Sequence, residues 1–145
     1  MKTMMRFAVA FLGLLLLAAC QTQDASLDPE YRQAIVGTWS NPDTGGPGPS
    51  EYFEKTYNAD GTASGFIAFR VNSADGLTIE RERTTFESRW RIEGGVVYSY
   101  DVRYSDGRRI DEFADAIIRI TQDVAEYEDL DSGRRFTRVR VKPPA

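Results

Sequence analysis

The chain has a single thiol, Cys20, and no imidazole. Losing histidine removes the commonest general base at neutral pH and the commonest metal ligand, which excludes the usual zinc, copper and haem sites. A serine nucleophile would lack its base, and neither a Gly-x-Ser-x-Gly elbow nor a Walker-type phosphate loop is present. Carboxylates and guanidiniums remain. Asp111, Glu112 and Asp115, then Glu126, Glu128, Asp129 and Asp131, are hard oxygen donors of the kind that hold calcium or flank a glycosidic bond. Their spacing matches no calcium loop, and Glu126 and Glu128 flank Tyr127 as the wet face of a strand would. Arg81, Arg83, Arg89 and Arg91 fall on alternate positions among Glu80, Glu82, Glu87 and Glu93. Opposite charges facing one another across strands contribute about 0.2–1 kcal/mol each, so this pattern reads as a solvated, self-paired face. The expectation is a protein that is not an enzyme and that carries no metal and no cofactor.

Cys20 is more informative for its position. Lys2 and Arg6 precede an uncharged apolar run from Phe7 to Ala19, and Leu17-Ala18-Ala19-Cys20 closes it. A helix over that run reaches only about 20 Å, against a hydrocarbon core of roughly 30 Å, so a cleaved signal fits better than a membrane span. The segment resembles the lipobox of bacterial lipoproteins. That resemblance implies removal of a signal peptide, residues 1–19, and acylation of Cys20 by a diacylglyceryl thioether and an N-acyl chain such as palmitate. Two or more chains anchor stably where one binds only marginally. In enteric-type bacteria an aspartate after the cysteine favours retention in the inner membrane. Gln21 therefore points to the outer membrane, with the domain facing the periplasm.

From Cys20 onward the chain retains 16 basic and 22 acidic residues, a formal charge of −6. This argues against a nucleic-acid partner and against attraction to an anionic membrane surface. With Cys20 acylated no disulfide can form, so one domain must be held by its core. Residues 20–27 read as a tether and 28–142 as the domain.

Asp28 before Pro29-Glu30 reads as an N-cap followed by proline in the first turn, and Gly37 ends a helix over 29–35. The period then switches to two. Strands are expected over 37–41, 51–57, 62–71, 78–93, 96–104, within 109–121, and over 124–130 and 134–141. The Pro/Gly-rich loop 42–49 and the turns Asn58–Gly61, Asn72–Gly76, Gly94-Gly95, Ser105–Gly107 and Asp131–Gly133 separate them. Seven or eight short strands in a meander leave two bare edges unless the sheet closes. The predicted fold is an all-β single antiparallel meander barrel with a short N-terminal helix.

A helical lead-in, Gly37-Thr38-Trp39 on the first strand, and an arginine-bearing last strand together resemble the lipocalin-like (calycin) group. In that group the Gly-x-Trp tryptophan closes the barrel floor and an arginine of the last strand packs across its ring. The resemblance implies a closure set of Gly37, Trp39 and either Arg138 or Arg140.

Strict alternation places Phe86, Trp90 and Ile92 on one face of the fourth strand and Val96, Tyr98, Tyr100 and Val102 on one face of the fifth. These residues either fill the core or line a pocket, since an eight-stranded barrel has room for side chains or for one small ligand. Buried phenols need partners, which tilts the tyrosines toward a pocket. The candidate ligand-binding residues are Phe53, Phe69, Phe86, Trp90, Tyr98 and Tyr100. The expected function is a membrane-anchored envelope lipoprotein that binds a small apolar or amphipathic ligand. The alternative is a protein-interaction module with a filled barrel, contacting an envelope partner through rim loops such as 42–49.

Overall fold

The computed structural model describes residues 25–42 and 48–142. The expected signal segment 1–19, the expected acylation site Cys20 and most of the expected tether lie outside the described residues, as do residues 43–47 of the Pro/Gly-rich loop. Ala25–Leu27, the last residues of the expected tether, form one 3-10 turn that runs directly into α1, Asp28–Ile35.

Eight strands follow: β1 Gly37–Ser40, β2 Gly48–Tyr57, β3 Thr62–Asn72, β4 Thr78–Glu93, β5 Val96–Tyr104, β6 Arg109–Ile120, β7 Val124–Asp129 and β8 Arg135–Arg140. They pair antiparallel in chain order, and β1 pairs with β8 through Trp39 and Ser40 opposite Arg140 and Val139. The fold is therefore the expected all-β closed meander barrel, and it is compatible with a lipocalin-like architecture. β2 begins earlier than expected, at Gly48, because Gly48, Pro49 and Ser50 find partners in Asn72, Val71 and Arg70 at the far end of the long β3. β4 runs unbroken over the expected 78–93.

The closed shape needs bent strands. Register shifts lie between Phe69 and Arg70, between Glu87 and Arg89 and between Ile117 and Arg119, and Asp101 adopts φ 52°. Such bulges add local twist and let a sheet curl onto itself. Gly65 meets the same need. A side chain there would collide with the Glu54 carbonyl and stand 2.6 Å from the Phe86 ring, so β2, β3 and β4 can approach this closely only around glycine.

The two ends of the barrel differ. The start of β1, the β2–β3, β4–β5 and β6–β7 turns and the end of β8 gather at one end, and α1 packs there. Asp28 does not cap its own helix: the N-cap is Leu27, which makes no side-chain bond. Its carboxylate instead accepts hydrogen bonds from the Gly94 and Gly95 amides at 2.8 and 2.7 Å, pinning the helix to the β4–β5 hairpin. Ile35, Trp39, Tyr57, Trp90, Ile92 and Tyr127 fill this end as a packed core. At the opposite end Phe69, Leu77, Ile79 and Leu130 are 45–64% exposed and form an apolar rim.

Candidate functional site

The floor sets the depth of the interior. Trp39 is 1% exposed and donates from Nε1 to the Ile35 carbonyl at 2.7 Å. Arg140 lies 4.2 Å from the Trp39 ring centre. Its guanidinium also donates to the carbonyls of Ala34 at 2.7 Å, Val36 at 2.9 Å and Gln122, collecting the free carbonyls at the end of α1. Of the two candidate arginines, Arg140 is the one packed across the tryptophan. Arg138, two residues earlier on the same face of β8, points into the barrel above it, 4.3 Å from the Phe53 ring and 4.7 Å from Phe136.

The aromatic candidates divide into groups. Phe53 stacks on Phe86 with centroids 5.8 Å apart, and Phe86 in turn meets Tyr104. Phe69 stands at the rim. Trp90 belongs to the floor, edge-on to Tyr57 at 5.5 Å, with Nε1 shared between the Asn58 and Thr62 carbonyls. Tyr98 and Tyr100 lie elsewhere. They share a face with Arg91 and Glu112, and the Arg91 guanidinium covers both rings at 4.5 and 5.1 Å while pairing with Glu93 and Glu112. That is the outer wall. The buried residues of β5 are Val96 at its start, Val97, Ser99 and, past the bulge at Asp101, Val102. The expected single stripe of Val96, Tyr98, Tyr100 and Val102 is therefore corrected: the bulge switches the face, so alternation read straight through it places the tyrosines on the wrong side.

Most of the acidic residues also serve the outer wall. Glu126 pairs with Arg119 at 2.6 Å, Glu128 with Arg135 at 3.0 Å and Glu80 with Arg83 at 2.6 Å. A separate concavity of about 410 Å³ crosses the wall where the β4 and β5 bulges meet, bordered by Thr62, Ser64, Glu87, Arg89, Asp101 and Arg103.

Above Arg140 and the floor, Lys55 of β2, Asp115 of β6 and Arg138 of β8 are turned inward instead. Lys55 is 2% exposed. Its Nζ donates to Ser99 Oγ at 2.7 Å and sits over the rings of Tyr57 at 4.4 Å and Phe113 at 5.3 Å. Asp115 stands opposite Val97, one cross-strand step along the same face from the Phe113–Ser99 pair. Neither the Asp115 carboxylate nor the Arg138 guanidinium has a hydrogen bond or contact ion pair among the described residues. Among the described residues the Arg138 guanidinium lies against the Phe53 and Phe136 rings, and Asp115 acts on it through its charge without a contact pair.

Burial governs the electrostatics. It pulls Lys55 down to about 7, against the opposing pull of Asp115, and Arg138 lowers it further. Burial likewise pushes Asp115 up to about 6, with Lys55 and Arg138 holding it back and Asp129 and Asp131 adding to the rise. Arg138 is lowered by desolvation, and the phenols of Tyr57 and Tyr127 are raised by it. Sequence reasoning missed Lys55, and it weighed Asp115 only as an oxygen donor in the run with Asp111 and Glu112, not as an inward-facing charge. The available signal was Lys55 alternating with Phe53 and Tyr57, a lone cation on an apolar strand face.

No family model matches the chain, and no curated protein matches it at a significant level.

Proposed function

We propose that the chain is a membrane-anchored envelope lipoprotein whose lipocalin-like barrel binds a small amphipathic ligand, without catalysing a reaction. The observation that carries this reading is the group of Lys55, Asp115 and Arg138 inside a ring of phenylalanines. A core built only for stability gains nothing from it. Taking an ion out of water costs several kcal/mol, and well-packed apolar residues of the same volume are often as stable or more so. A half-buried guanidinium that faces rings and has no acceptor among the described residues is suited to receive one from outside. Phe53, Phe86 and Phe113 would cover the apolar part of the ligand, and the mouth ringed by Phe69, Ile79 and Leu130 would be its entrance. Trp39 and Arg140 serve as floor. Cys20, through its acyl chains, would hold the domain at the outer membrane, facing the periplasm.

Native mass spectrometry of the full chain extracted from its host membrane tests the ligand. A co-purifying small molecule near one per chain is the expected result. Repeated preparations with none, together with no thermal shift from amphipathic probes, would remove the reading.

One observation favours a second reading. Leu77 and Leu130 at the rim are 64% and 50% exposed, more than ligand entry needs, and suit contact with an envelope protein. Crosslinking in whole cells with and without Leu77→Ser and Leu130→Ser discriminates: an unchanged set of partners counts against it.

A further inference from the structure

We propose that the interior cluster is an acid-loaded receptor for a singly charged anionic head, taken by Arg138 and Lys55, with Asp115 as the internal carboxylate that the head replaces. The inference rests on the ligand-binding reading and adds the charge of the ligand and the condition under which it is held.

The geometry comes first. Arg138 spends none of its hydrogen-bond donors on the described protein residues, and Lys55 spends one, on Ser99. Two cations and one carboxylate come from β2, β8 and β6, and the cations lie against the rings of Phe53, Phe113 and Phe136. With all three ionised, one positive charge lacks a counter-ion. A carboxylate, sulfonate or monoester head supplies it, and the planar fork of Arg138 suits two oxygens of such a head.

The same cluster changes charge across mild acid. Above about pH 8 Lys55 is mostly neutral while Asp115 and Arg138 are ionised, so the interior is balanced. Near pH 5 Lys55 carries its proton and Asp115 is neutral, so the three groups together carry two positive charges. The other groups facing the cluster do not undo this. Tyr57 and Tyr127 are pushed up and stay neutral, and Asp129, opposite Asp115, is held low by amides of its own turn and stays ionised. Asp131 and Arg134 are exposed at the rim, and β5 contributes only Val97 and Ser99. Anion affinity should therefore rise as pH falls and be released as pH climbs.

The test is calorimetric titration of the full chain in phosphatidylcholine nanodiscs, with empty discs as blank, at pH 5, 6, 7 and 8. The probes are 2-naphthalenesulfonate, anionic throughout, and 2-naphthalenesulfonamide, uncharged and nearly isosteric. The sulfonate should bind about tenfold or more tightly at pH 5 than at pH 8, while the sulfonamide changes by about twofold or less. Asp115→Asn should raise sulfonate affinity at pH 8 and flatten the profile. Arg138→Gln should weaken the sulfonate about tenfold at pH 5 and leave the sulfonamide unchanged, and Arg138→Lys should recover part of the loss. Equal binding of the two probes at pH 5, or a flat sulfonate profile, would overturn this proposal and leave the ligand reading standing. Binding of neither probe at any pH would remove both.

Discussion

The guanidinium of Arg140 occupies the place that a side chain on Gly37 would need, and Gly37 itself sits at φ 127°, a conformation open in practice to glycine. The two residues are 103 positions apart in sequence and meet at the seam where β1 and β8 close the barrel. Gly37→Ala should therefore lose stability on two counts, backbone strain and displacement of Arg140. A loss of about 1–3 kcal/mol in urea unfolding is expected. A change under about 0.5 kcal/mol would mean that Arg140 can leave its site freely.

Trp39→Ala empties the floor outright. Truncating a fully buried tryptophan costs about 3–5 kcal/mol, so the midpoint of thermal unfolding should fall steeply. A loss below about 1 kcal/mol would deny Trp39 its place as the plug.

Lys55→Met should stabilise the protein in a pH-dependent way. The ammonium is depressed from 10.5 to about 7 on folding, so stability tied to this group is full above pH 10.5 and lost as pH falls through about 7. Methionine removes that loss. The variant should exceed the parent by about 1–4 kcal/mol at pH 6, with the difference fading toward pH 10. Equal stability at both pH values would show that the charge is accommodated without penalty.

Asp115→Asn has the opposite dependence. A carboxyl raised from 3.8 to about 6 contributes stability that is full below pH 3.8 and lost as pH rises through about 6. The variant should gain about 1–3 kcal/mol at pH 8 and nothing near pH 3.5. Chemical denaturation at the two pH values reads the sign directly.

Tyr98→Ser with Tyr100→Ser removes two rings from under Arg91. Probe binding in the interior should stay within about twofold and stability should fall by about 0.5–2 kcal/mol, the scale of surface cation–π contacts. Loss of probe binding in this double variant would place the site on the wall instead.

Cys20→Ser should abolish incorporation of labelled palmitate in the host. Undiminished labelling would end the lipoprotein reading.

The strands were legible because turn residues punctuate them and because alternation is clean between bulges. Closure was legible from the edge problem of a meander, and the floor from Gly37 and Trp39. The choice between Arg138 and Arg140 was not, since both lie on the inward face of β8 and only depth in the barrel separates them. The tyrosines of β5 were misplaced for a related reason. A bulge at an ordinary aspartate, Asp101, leaves no mark in composition, yet it reverses every side chain beyond it. Asp115 was hidden among many acids, and its distinction is the face it takes rather than its type.

Asp28 fixes a direction as well as a contact. By binding the Gly94 and Gly95 amides it brings the chain into the barrel through the floor, at the end opposite the Leu77 and Leu130 rim. If Cys20 anchors the barrel as proposed, the floor would be the end nearer the attachment point and the rim the end farther from it. Cargo would then be exchanged with the aqueous space rather than drawn from the leaflet beneath.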